Sequence, residues 1–197
     1  MACTACHGAQ GRAGPDGYYP RLAGKPAGYL YNQLLNFRDG RRQSPQMTYM
    51  VNHLPDAYLL EIADYFSSLH LAPPRVPAST AKPAVLERGR LLVQQGDPGR
   101  QLPACVACHG QQLAGVAPAI PGLLGLPLDY INAQFGTWKN GQRRAHAPDC
   151  MADIAKRLSL DDVSAISAWL STQPVPPDAR PQASSAQALP LRCGSAP

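Results

Sequence analysis

The sequence predicts an all-α chain of two tandem helical units, made by internal duplication and joined by a proline-rich linker. Three observations carry that expectation. Cys3-Thr4-Ala5-Cys6-His7-Gly8 returns as Cys105-Val106-Ala107-Cys108-His109-Gly110. Downstream of each copy, Tyr29, Gln33, Phe37, Arg38, Gly40 and Arg42 align with Tyr130, Gln134, Trp138, Lys139, Gly141 and Arg143. Met47, seven residues before Leu54, aligns with Met151, seven residues before Leu158. Matches that keep their order at an offset of slightly over one hundred residues mark a single ancestral unit present twice.

The units are expected at 1–71 and 84–173, with a linker at 72–83 and a tail at 174–197. Val85, Leu86, Gly89, Leu92 and Val93 share one helical face ahead of the second Cys motif. The first unit has no counterpart to this helix, which reads either as trimming along with a leader or as a lost element. Tyr29 to Arg38 and Tyr130 to Lys139 read as middle helices ended by Gly40 and Gly141. Closing helices are expected over Pro55 to Leu69 and Ser159 to Ser171, where Leu59, Ile62, Ala63, Phe66 and Leu69, and Val163, Ile166 and Leu170, repeat at helical spacing. Ser159, three residues before Asp162, reads as an N-cap. No strand alternation is evident. Prolines 73, 74, 77 and 83 exclude a continuous helix across the linker. The Pro-, Ala- and Ser-rich tail reads as either a surface wrap or a disordered segment.

Only 16% of the 197 residues are charged and 7% aromatic, so each half has a thin core. Domains that small often need a disulfide, a metal or a cofactor as a staple. The repeated Cys-x-x-Cys-His supplies one. Two thiols on one helical turn can each add to a haem vinyl group, and the adjacent His presents its imidazole to the iron from the same side. The alternatives are a zinc knuckle and a dithiol redox motif. Zinc would require two pairs that each begin their own unit to share one metal, and a dithiol leaves the repeated histidines unexplained. Cys3, Cys6, Cys105 and Cys108 are therefore expected to attach two haems, with His7 and His109 as proximal ligands.

A thioether opposite His raises the potential into the range useful for electron relay. Of the four methionines, Met47 and Met151 occupy equivalent places in the repeat. They are the expected distal ligands, with Met50 as runner-up in the first unit. Methionine more commonly fills core space. His53, His70 and His146 read as ordinary helix-end or loop residues. Cys150, beside Met151, and Cys193 are left over. They read as a disulfide tying down the tail, as buried thiols, or, for Cys150, as an iron ligand.

The net charge of +5 is scattered, with no basic run longer than Arg41-Arg42 or Arg143-Arg144, which argues against nucleic acid as a partner. Two haems would add up to about four propionate charges and bring the protein near neutrality. No run approaches the roughly 18 apolar residues of a membrane span, and Met1-Ala2-Cys3 offers neither the basic nor the apolar region of an export signal, so the leader of an exported precursor is expected to be missing from this chain.

The order Cys-x-x-Cys-His-Gly, Tyr-x-x-x-Gln, Arg/Lys-x-Gly, Met and a closing Leu-x-Asp helix, repeated across a Pro-rich linker, resembles the cytochrome c4 family of dihaem c-type cytochromes. The resemblance covers nearly everything from Cys3 to Gln173. It implies two class I cytochrome c folds with facing haems in the bacterial periplasm, carrying electrons toward a terminal oxidase. The donor would be a quinol-oxidising complex or a dehydrogenase. It also implies that a proline carbonyl, from Pro20 and from Pro121 or Pro118, accepts the proximal His proton. An electron carrier that is not an enzyme is the leading expectation. The alternatives are a haem subunit of a larger dehydrogenase and, further off, a dihaem enzyme of sulfur oxidation.

Overall fold

The protein is described by a computed structural model covering residues 2–14, 17–76, 78–177, 179–184 and 188–196. Pro77 of the expected linker, and Asp178, Ser185, Ala186, Gln187 and Pro197 of the expected tail, lie outside the described residues, as do Met1, Pro15 and Asp16.

Both halves are helical. The first carries α1 (Ala2–His7), α2 (Ala27–Arg38), α3 (Pro45–Val51) and α4 (Asp56–Ser68). The second carries α5 (Pro83–Gln95), α6 (Val106–His109), α7 (Leu128–Lys139), α8 (Cys150–Arg157) and α9 (Leu160–Leu170). The Cys motifs form α1 and α6, the middle helices are α2 and α7, and the closing helices are α4 and α9. Gly40 and Gly141 adopt positive φ of 72° and 77° just past α2 and α7, where a left-handed residue stops a helix cheaply. Ser159 and Asp162 form a reciprocal capping box at the start of α9. The Ser159 hydroxyl accepts from the Asp162 amide at 3.1 Å, and Asp162 accepts from the Ser159 amide at 3.0 Å.

Two features depart from the sequence expectation. α3 and α8, which carry the methionines, are helices of their own, marked only by Pro45 at the first helical position and by Asp149, whose carboxylate accepts from the Ala152 amide at 3.0 Å. A two-stranded antiparallel ladder, β1 (Gly115–Val116) with β2 (Ile120–Pro121), also follows the second Cys motif. Two residues per strand are too few to leave an alternation in sequence.

The two cores differ in size. In the first half, Leu30, Ala63 and Phe66 pack between α2 and α4, and Phe37, Val51 and Leu59 join α2, α3 and α4. In the second, α5 adds Leu92 and Val93 to a cluster with Ile131, Phe135, Ala155, Val163, Ile166 and Leu170. Each fully buried aliphatic side chain contributes roughly 1.5–3 kcal/mol, so α5 gives the second half a clear advantage. α5 crosses α9 at Gly89. A Cβ there would lie 2.7 Å from the Ala165 carbonyl carbon and 2.8 Å from Trp169 Cβ. Between the halves, the described residues 69–76 and 78–82 have no regular structure. Arg21 pins its start by donating to the carbonyls of Leu71 at 2.8 Å and Ala72 at 3.0 Å.

Candidate haem-iron centres and the interface between them

In each half a short helix places the Cys pair and His on one turn, and a loop then brings a proline carbonyl back to the imidazole. His7 Nδ1 donates to Pro20 O at 2.9 Å, and His109 Nδ1 donates to Pro121 O at 2.7 Å. Of the two prolines considered in the second half, Pro121 is therefore the acceptor. With Nδ1 protonated, Nε2 keeps its lone pair for a metal. Both rings are buried, at 7% and 8% exposure. Burial pushes both imidazoles toward the neutral form, and the proline carbonyls oppose this only partly. Burial also pushes the Cys105 thiol up to about 12 and raises Cys108.

In the second half the expected residues converge. Cys105, Cys108, His109 and Met151 line one cavity with Leu92, Phe135 and Ile166. His146, read from sequence as a plain loop residue, lines it too. In the first half Cys3 packs on the Leu30 cluster and Met47 on the Phe37 cluster, and Tyr31 touches both. α3 sets Met47 against the core and leaves Met50 41% exposed. Cys150 and Cys193 are joined in a disulfide that ties the tail to the start of α8.

The halves meet through residues that the repeat had paired. Arg42 and Arg143 form an antiparallel bridge, flanked by the Gln43 amide donating to Gln142 O at 2.8 Å and the Arg144 amide donating to Arg41 O at 2.7 Å. Arg42 donates to Gln33 at 2.9 Å and to Gln134 at 2.8 Å, while Arg143 donates to Gln134 and, at 3.2 Å, to Gln33. Each guanidinium lies over the aromatic ring of its own unit, Arg42 4.6 Å from Phe37 and Arg143 3.9 Å from Trp138. Tyr29 and Tyr130 accept from the opposite arginines. The contact is thus a pseudo-twofold one, with equivalent residues exchanging partners. The sequence pairs these residues as repeats, but only the fold shows that the pairs meet.

Arg42, Arg143 and Lys25 make this interface cationic. None of the ion pairs among the described residues involves Arg143, Arg42 or Lys25. Arg143 is only 6% exposed, and it lines the cavity with Lys25. Burial lowers the pKa of both, and for Arg143 the nearby Arg42 adds to the effect. Burial alone would raise the Tyr29 phenol, but Arg143, Arg42 and Lys25 outweigh it and bring the pKa to about 8. Trp138 Nε1 is buried in the cavity wall without a partner. A buried guanidinium without a counter-ion is relieved by a nearby anion, and an unused N–H donor by any acceptor. Haem fits that need, because it brings two propionates as well as an iron for His109 and vinyl groups for the cysteines.

Comparison with known proteins agrees. Residues 1–69 match the Cytochrome c family. The chain is 38% identical over 176 residues to a thiosulfate dehydrogenase electron acceptor of Thiomonas intermedia, covering 89% of this chain and 80% of that protein. It is 34% identical over 170 residues to cytochrome c4 of Pseudomonas aeruginosa, covering 85% and 82%. Reduced cytochrome c4 from Pseudomonas stutzeri superposes with a TM-score of 0.73 at 30% identity, over 87% of this chain and 93% of that one. A thiosulfate dehydrogenase from Marichromatium purpuratum superposes at 0.77 and 34% identity, over 87% of this chain, which spans only 36% of that longer one. The motifs, the tandem all-α fold and these likenesses lead to one conclusion: the chain belongs to the cytochrome c4 family and is an electron-transfer protein with covalently bound haem c.

Proposed function

We propose that the chain carries two haems, through Cys3 and Cys6 in a unit spanning 1–71 and through Cys105 and Cys108 in a unit spanning 84–173. His7 with Met47 and His109 with Met151 are the axial pairs. In the bacterial periplasm it accepts electrons from a thiosulfate-oxidising dehydrogenase and passes them toward a terminal oxidase. The observation that carries this reading is the recurrence of one His-to-proline-carbonyl site on both sides of a shared cationic interface.

Bound haem supplies the one-electron couple, and the protein sets its conditions. The Pro20 and Pro121 carbonyls fix imidazole orientation and raise ligand basicity. Arg42, Arg143 and Lys25 offset propionate charge between the units. The Leu92, Phe135 and Ile166 wall excludes water, which favours the reduced state of the second centre. An oxidising compartment suits the Cys150–Cys193 disulfide, and the Thiomonas relative's description points to the donor.

The test is reconstitution. Purified holoprotein should contain two haems per chain. It should be reduced within seconds by thiosulfate when catalytic amounts of a thiosulfate dehydrogenase are added, and not by thiosulfate alone. One haem per chain would remove the two-centre reading, and no reduction by the dehydrogenase would remove the donor. The Marichromatium likeness, in which a similar region belongs to a longer dehydrogenase chain, favours a second reading as a bound subunit. Co-purification of the dehydrogenase in fixed stoichiometry would establish it.

A further inference from the structure

The end of the chain alternates in exposure. Leu189, Leu191, Cys193 and Ser195 are partly buried and line the second cavity, while Pro190, Arg192 and Gly194 between them are exposed. The alternation turns one side of the segment inward, although bends at Pro190 and Leu191 and a turn at Gly194 and Ser195 keep it from being a regular strand. Two tethers hold the segment itself, and a third, at Gln182, holds the chain upstream of it. On the His109 side, the Gln182 amide donates to Gly115 O at 2.9 Å and the Ala117 amide to Gln182 O at 2.8 Å. On the Met151 side, the Cys193–Cys150 disulfide joins it to the first residue of α8. The Gly194 amide donates to Pro148 O at 2.9 Å, so close that a Cβ on Gly194 would lie 2.6 Å from the Ala147 carbonyl carbon. The second tether on the segment reaches the other unit, where Asn32 Nδ2 donates to Ser195 O at 3.1 Å. Ser195 Oγ is shielded from solvent and has no hydrogen-bond partner. A buried hydroxyl left unpaired costs roughly 1–3 kcal/mol unless a ligand uses it.

We infer that residues 188–196 are a disulfide-clamped strap that completes the second haem site. Leu189 and Leu191 wall the haem edge, Ser195 Oγ donates to a haem carboxylate, and Cys193, through Cys150, is a positioning residue for the Met151 thioether. The inference rests on Met151 being the distal ligand of that iron. It makes the two centres unequal, because the strap lines one of them only.

The test uses four holoprotein variants: Cys150→Ser with Cys193→Ser, Leu189→Ser with Leu191→Ser, Ser195→Ala, and Met151→Ala. Imidazole binding to the ferric protein is followed through the far-red Met-to-iron band, together with both midpoint potentials. The cysteine and leucine variants should keep two covalent haems and let imidazole reach one iron at least tenfold faster, with the other iron unchanged. Ser195→Ala should lower one midpoint only. The leucine variant keeps the disulfide, so it decides the matter even if the cysteine variant fails to mature. Wild-type imidazole rates and potentials, with only a lower unfolding midpoint, would reduce the disulfide to a general staple and overturn the strap. If Met151→Ala kept the full band, the ligand assignment would fail instead, and imidazole access in the leucine variant would still judge the strap.

Discussion

Gly89→Ala is expected to destabilise the second unit although it improves helix propensity. Alanine in place of glycine inside a helix contributes about 1 kcal/mol in favour of α5. The added methyl would collide with the Ala165 carbonyl and stand 2.7 Å from its carbon and 2.8 Å from Trp169 Cβ. Ordinary carbon contacts begin near 3.5 Å, so α5 and α9 must part by about 1 Å. The neighbour is helix backbone that cannot rotate away, which puts the overpacking cost at the upper end of its range, about 3 kcal/mol. The collision wins by about 2 kcal/mol, equivalent to a fall in Tm of roughly 10 °C for a unit of this size. Thermal unfolding by far-UV circular dichroism measures it. Gly136→Ala on α7 is the control, because a Cβ there meets nothing within 4 Å, and it should raise stability by up to about 1 kcal/mol. If the two variants were equally stable, the close crossing of α5 and α9 would be refuted.

Three further outcomes follow from the same geometry. Asp162 is held well below its usual pKa: burial opposes this, but Arg100, the Ser159 amide and Arg88 outweigh it. Its stabilisation is therefore present above the unfolded carboxylate pKa of about 4 and is lost as the pH falls below that value. Asp162→Asn should cost about 2 kcal/mol at pH 7, discounted because Arg88 and Arg100 are partly exposed, and urea titrations at pH 7 and pH 3 should find that difference shrinking. Arg143→Lys removes the planar fork shared with Gln134, Gln33 and Tyr29 and is expected to weaken the interface by about 2 kcal/mol. Hydrogen exchange of the Gln43 and Arg144 amides, which bridge the units, should accelerate about thirtyfold, and unchanged protection would show that the arginine does not hold them together. The Tyr29 phenol, at about 8 in the presence of three cations, should move toward its ordinary value when propionates bind, which absorbance titration of apo- and holoprotein can compare.

Much of this was legible in the sequence because it is local. The Cys-x-x-Cys-His turns, the amphipathic α2, α4, α7 and α9, and the Ser159 cap each lie within one helix length. α3 and α8 escaped because seven or eight residues carry too little periodicity, leaving only Pro45 and Asp149 as signals. Gln33, Gln134, Arg42 and Arg143 were visible as repeats, but their meeting depends on how two units dock. Leu189, Leu191, Cys193 and Ser195 do alternate, yet a prolyl residue and a serine within so short a run hide the pattern, and only the disulfide and the cavity give it direction.

The most direct test of two His/Met centres is a redox titration of Met47→Ala and Met151→Ala with the far-red band recorded alongside. Each variant should keep two covalent haems, lose about half of the band and lower one midpoint while sparing the other. A variant with both midpoints and the whole band intact would contradict the axial assignment in its unit.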